Sequence, residues 1–197
     1  MGNGRQYMFD DILKIDISSS QDLFSLALLG QLRKKSFHEI TVKELCEEAG
    51  LSRKTYYKYF RDLHEVLDYT IENMNLGYYE FSYEVPEQIS AVRKSFYHYF
   101  VYWYHLRDWV EVFVENDLWQ YVTSRVNAQG IGLLSPRDWG DYLSGDEQTL
   151  SLAFEFVGAG CSRLVELWCL NGFDRSPMEM AELVEFIISG QMGKFSR

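Results

Sequence analysis

The chain has 197 residues, 47% hydrophobic and 24% charged. That composition excludes a disordered chain and suits one compact unit or two small ones. A net charge of −10 argues against a uniformly basic nucleic-acid-binding protein, while 16% aromatics, only three prolines and apolar residues at helical spacing almost throughout predict an all-α protein.

In chain order, residues 1–19 carry mixed charge without a clear period and predict an arm or short extra element. Ser18, Ser19 and Ser20 offer caps for a first helix running to about Lys35, with Leu23, Leu26, Ala27, Leu28, Leu29 and Leu32 forming a broad apolar stripe. Arg33, Lys34 and Lys35 suit the negative end of that helix's dipole; a phosphate contact is the alternative. Thr41 opens a second helix with Glu44 three residues on, the pattern of a capping box. Val42, Leu45, Cys46 and Ala49 make its short apolar face. Gly50 falls where a left-handed backbone is cheap, and Ser52 caps a third helix. On that helix Tyr56 and Phe60, four apart, point to a core, leaving Arg53, Lys54, Tyr57, Lys58 and Arg61 on the other side.

The helical pattern resumes at Asp62 and runs to about Tyr83. Pro86 suits the first turn of the next helix, which continues to about His105. Another spans about Asp108 to just before Gly130, and Gly130–Gly145, with four glycines and a proline, predicts a loop. A long apolar helix is expected over about Asp146–Leu170. Ser176, Pro177 and Glu179 then mark the start of a last helix ending near Ile188.

Charge is unevenly spread. Between Gln31 and Arg61 stand eight cations (Arg33, Lys34, Lys35, Lys43, Arg53, Lys54, Lys58, Arg61) and four carboxylates, a net +4 that leaves −14 on the rest. A basic face on an acidic body can bind phosphate while repelling it elsewhere. Two short helices joined at a glycine turn, the second basic and aromatic, suit placement of side chains in the major groove.

Phe37-His38-Glu39-Ile40-Thr41-Val42, then Glu48-Ala49-Gly50-Leu51-Ser52, then Thr55-Tyr56-Tyr57-Lys58-Tyr59-Phe60 together resemble the helix-turn-helix of the tetracycline-repressor (TetR/AcrR) family. The likeness covers about residues 20–67. A weaker one covers Gly158–Trp168, Asn171-Gly172 and the Ser176-Pro177 start, and is similar to the helix pair with which many members dimerise. After the arm over 1–19, the resemblance implies a DNA-binding domain over 20–67 and a helical effector-binding and dimerisation domain over 68–197. It implies DNA contacts from Thr41, Lys43, Ser52, Arg53, Lys54, Thr55, Tyr57, Lys58 and Tyr59. Arg and Lys can read guanine N7 and O6, while Thr, Tyr and helix N-termini bond phosphate. Members usually carry Lys where this chain has Leu63, so one backbone contact is expected to be lost, or replaced by Arg61 or His64.

Phe96–His105 holds seven aromatic and two histidine residues among ten. A helix aromatic on all sides faces more than one partner. Core packing is one account; an effector cavity walled by Phe96, Tyr99, Phe100, Trp103, Tyr104, Phe113 and Trp119, with Tyr121 beside them and Glu111 or Glu115 as counter-charge, is the other. A dimer surface is expected from Leu150, Leu152, Phe156, Val157, Leu164, Leu167, Trp168, Leu183, Val184 and Ile187. His98 and His105, seven apart, lack placeable partners for a metal.

Cys46, Cys161 and Cys169 show no CxxC spacing. That, without a signal peptide, predicts a reducing cytoplasm. No targeting segment is expected: no apolar run approaches roughly 20 residues, and MGNGRQ lacks the hydroxyl of a myristoylation motif. No nucleophile elbow or phosphate-cradling glycine loop is recognisable, so no enzyme, cofactor or metal is expected. The expectation is a homodimeric, ligand-responsive repressor acting on a palindromic operator in double-stranded DNA. A protein of the same fold controlled by a protein partner is the alternative.

Overall fold

The computed structural model describes residues 19–81, 84, 86, 88–128 and 146–189. They are helical, with no strand among them. The elements are α1 (Ser20–Leu32), a short 3-10 turn (Phe37–Glu39), α2 (Val42–Ala49), α3 (Arg53–Tyr59), α4 (Leu63–Glu80), α5 (Ala91–His105), α6 (Arg107–Glu115), α7 (Trp119–Ala128), α8 (Glu147–Leu170) and α9 (Pro177–Ile188). The all-α expectation holds for these residues. No described helix is long and apolar enough to cross a membrane. The expected arm, Ser19 apart, and the expected Gly130–Gly145 loop lie outside the described residues, as does the side chain of Leu150.

The chain divides into two units: the described part of Met1–Phe81 with Glu115–Val126, and the described part of Ser82–Val114 with Asn127–Arg197. The expected boundary after Leu67 falls inside α4. Asp62 caps that helix by accepting the Glu65 amide at 3.1 Å. Val66, Leu67, Ile71 and Met74 then keep one face buried across the boundary, so nothing interrupts the backbone ladder there.

In the first unit α1 is the central element, packed against α2, α3 and α4. Phe24, Ala27, Leu28, Leu29 and Leu32 are buried. Side chains bond across α1 and α4. The Ser25 and Thr70 hydroxyls lie 2.7 Å apart, and Tyr69 donates to Asp22 Oδ1 at 2.7 Å. The helix ends at Leu32, three residues before the expected Lys35, because the chain turns there into the 3-10 segment.

The helix expected from Asp108 to Gly130 is instead two, α6 and α7, broken where Asp117 adopts a left-handed backbone (φ 56°). The bend puts Tyr121 and Arg125 beside Asp68 of α4: Tyr121 donates to Asp68 at 2.7 Å and Arg125 pairs with it at 3.1 Å. The 115–126 stretch thereby joins the first unit.

In the second unit α5 starts at Ala91, not at Pro86. Gln88 is left-handed (φ 68°), which stops a helix from running through it, and Ser90 caps the new start by accepting the Arg93 amide at 3.0 Å. This helix packs against α9. Arg93 donates through Nε to Glu185 at 2.6 Å and pairs with Glu182 at 3.2 Å. α8 and α9 begin where expected, on the Asp146 cap and the Ser176–Glu179 capping box.

Candidate nucleic-acid interface

Local chemistry fixes where α2 begins and ends and where α3 starts. Thr41 accepts the Glu44 amide at 3.3 Å, while the Glu44 carboxylate takes the Thr41 amide at 3.0 Å and its hydroxyl at 2.7 Å. At the far end Gly50 is left-handed (φ 65°), and the Leu51 amide reaches back to the Cys46 carbonyl at 3.0 Å. Only a residue without Cβ takes that conformation at no steric cost. Ser52 then caps α3 by accepting the Thr55 amide at 3.1 Å. Only Gly50, Leu51 and Ser52 separate the two helices, which leaves little slack between them.

One side of α3 is welded to α1. Tyr56 is fully buried and Phe60 nearly so. Phe24 meets both edge-on, with ring centres at 5.4 and 6.0 Å. Burial pushes the Tyr56 hydroxyl's pKa well up, and among the described residues that hydroxyl has no hydrogen-bond partner. The opposite side faces outward: Arg53, Lys54, Tyr57, Lys58 and Tyr59 are exposed, Tyr57 to 62%, with Thr55 half-buried. Lys58 sits 4.7 Å from the centre of the Tyr59 ring and donates to its hydroxyl at 3.0 Å. Thr41, Lys43 and Ser52 are exposed at the two helix starts.

The cations counted in sequence are not electrostatically equal. Lys34 pairs with Glu48 at 2.9 Å, Lys35 with Glu44 at 2.7 Å, Lys43 with Glu47 at 3.8 Å, and Arg61 with Glu65. Lys35, together with Thr41, holds the Glu44 carboxyl down at about 2. Among the described residues, Arg53, Lys54 and Lys58 pair with no carboxylate. Unbalanced positive charge therefore concentrates on the outer side of α3. Lys43–Glu47 and Arg61–Glu65 are four apart and were open to view in the sequence, whereas the pairing of Lys34 and Lys35 with α2 depends on how α1 and α2 pack.

Leu63 opens α4, half-buried. Neither neighbour named to replace its missing charge is unengaged. Arg61 holds Glu65, and the His64 ring lies edge-on to Phe37 at 4.9 Å and near Tyr121 at 5.9 Å.

In the second unit Phe96, Tyr99, Phe100, Trp103 and Phe113 are at most 3% exposed, whereas Tyr104 is half-buried. Tyr99 meets Phe100 at 5.4 Å and Trp103 at 6.2 Å. Trp119 and Tyr121, expected on the same wall, fall within the first unit. Glu111 is exposed, and Glu115 falls in the first unit with them.

Trp168 corrects the expected dimer surface. It is 2% exposed within its own unit, stacked on Tyr104 at 5.4 Å, edge-on to Phe100 and Phe173, and it donates from Nε1 to the Arg175 carbonyl at 3.1 Å. A large amphipathic ring on an apolar stripe satisfies both its faces and its N–H inward. Val184 is buried as well, and Val157, Leu164 and Leu183 are half-buried. Phe156 (78%), Leu152, Leu167 and Ile187 are exposed, joined by Leu170 and Ile188, which the sequence reading missed. Leu170, three residues after Leu167, and Ile188, next to Ile187, extend the expected stripe, and that spacing was the signal available.

Among the described residues no group of three or more His, Cys, Asp and Glu could hold a metal ion. No protein-family model and no curated protein sequence matches the chain.

Proposed function

We propose that the protein is a DNA-binding transcriptional regulator of the tetracycline-repressor kind, working in the cytoplasm as a homodimer. The observation that carries the reading is α3: its inner side is held by Phe24, and its outer side presents Arg53, Lys54 and Lys58, paired with no carboxylate among the described residues, beside exposed Tyr57 and Tyr59. A rigid rod about 10 Å across fits the major groove. Its cations supply phosphate attraction and base contacts.

Leu152, Phe156, Leu167, Leu170, Ile187 and Ile188 form the surface for a second copy. Large apolar side chains this exposed on two successive helices mark an interaction face. A two-fold pair presents α3 twice, so the operator is a rough palindrome with half-sites about 34 Å apart, or a multiple of that. The buried aromatic side chains of α5 and α6 are the proposed seat of a small apolar effector whose binding favours a form unfit for DNA.

The test is retention of genomic fragments by the purified full chain, followed by their sequencing. A shared inverted repeat supports the reading. Fragments with no common sequence, retained equally well by Lys54→Ala and Lys58→Ala variants, overturn it.

A further inference from the structure

Resting on the DNA-binding reading, we propose that Glu65 competes with the DNA backbone for Arg61, and so sets how tightly the protein holds any duplex. Arg61 is the first residue past Phe60, the residue that closes α3, and it precedes Asp62, the cap of α4. It therefore emerges at the exit of the helix whose outer side carries Lys54 and Lys58.

Glu65 holds Arg61 at both ends. One carboxylate oxygen accepts the Arg61 amide at 2.6 Å, and the other accepts Nε and pairs with Nη2. The two partners differ in freedom. The Glu65 side chain is 27% exposed and tied to backbone; the Arg61 side chain is 88% exposed and held only through its head. The guanidinium can swing outward to a phosphate, and the carboxylate cannot follow it.

A phosphate arriving at this point meets a cation already neutralised. It finds no substitute in Leu63, which is apolar, nor in His64, whose ring is engaged with Phe37. Contact there requires exchange of a carboxylate for a phosphate, whereas contact at Lys54 or Lys58 requires none. Since phosphate contacts carry no sequence information, the competition weakens operator and non-operator binding alike, which suits a chain that has to release DNA.

The experiment measures binding of the full chain to a mixed-sequence DNA duplex by fluorescence anisotropy across a salt series. Glu65→Gln, Arg61→Ala, the double variant, and Glu72→Gln as an exposed charge control on α4 are compared. The amide introduced by Glu65→Gln would keep an oxygen for the Arg61 backbone N–H, and thermal unfolding checks that the fold is kept. Glu65→Gln is expected to bind roughly two- to fivefold tighter, with a salt slope steeper by about one. Neither gain should exceed that of Glu72→Gln once Arg61 is replaced by alanine. An equal gain in the Arg61→Ala background overturns the proposal, because charge removal alone would then account for it. If Lys58→Ala weakens binding and Glu65→Gln changes nothing, this proposal alone falls. If Lys58→Ala also changes nothing, the DNA-binding reading falls with it.

Discussion

Asn116 holds Phe37: its Oδ1 accepts the Phe37 amide at 3.1 Å, while its Nδ2 donates to the Leu32 carbonyl at 3.2 Å. One amide group thus spans the gap between the end of α1 and the 3-10 turn that leads into α2. It comes from a segment far away in sequence, at the break between α6 and α7.

Asn116→Ala should therefore loosen the first unit, not the second. Loss of both bonds, with the Phe37 amide left unpaired, should cost about 1–2 kcal/mol. Urea denaturation measures the total, and amide hydrogen exchange locates it. Faster exchange confined to α8 and α9 would refute the assignment.

Two adjacent tyrosines should behave oppositely. Tyr56 is buried among Phe24 and Phe60, and Tyr56→Ala should cost about 3–5 kcal/mol. Tyr56→Phe removes only a hydroxyl that has no partner among the described residues and should raise stability by up to about 1 kcal/mol. Tyr57 is exposed, so Tyr57→Ala should change stability by at most about 1 kcal/mol while weakening DNA binding. Thermal melts and duplex-binding titrations on the three variants check this.

Acid should act on α2 through Glu44. Its carboxyl lies at about 2 against an ordinary 4.5, held down first by Lys35 and then by Thr41. The folded state thus binds this proton less readily than the unfolded one. The resulting stabilisation is present above about pH 4.5 and lost as pH falls towards 2. Melting temperature against pH should fall less steeply over that window for Glu44→Gln than for the natural chain. Parallel curves would contradict it.

The proposed dimer surface is testable by contrast. Phe156→Glu alters a side chain that is 78% exposed and should leave the monomer folded but unpaired in sedimentation equilibrium. Trp168→Asp, by placing a charge among Tyr104, Phe100 and Phe173, should unfold the second unit, since removal of the ring alone costs about 3–5 kcal/mol. A folded monomeric Trp168→Asp would place Trp168 on the surface after all.

Local chemistry was legible without coordinates. The capping boxes at Thr41 and Ser176, the left-handed Gly50, the Ser52 cap and the inward Tyr56 and Phe60 all depend on residues within four positions of each other, and the sequence displays those directly. The start of α5 was missed because Pro86 permits a helix start without requiring one, and the left-handed Gln88 left no mark in the pattern.

The sequence by itself determined the helical class, the caps at Thr41, Ser52 and Ser176 and the amphipathic side of α3, because these follow from short-range hydrogen bonding and a period of about 3.6 residues. Only the tertiary structure decided which cations stay unpaired, that residues 115–126 join the first unit through Asn116 and Asp68, and that Trp168 turns inward while Phe156 does not. Those outcomes depend on which side chains meet in space, some a turn apart like Arg61 and Glu65, others distant along the chain like Trp168 and Tyr104 or Asn116 and Phe37. Charge and hydrophobicity state what a side chain can do, and its neighbours in space decide which of those possibilities is used.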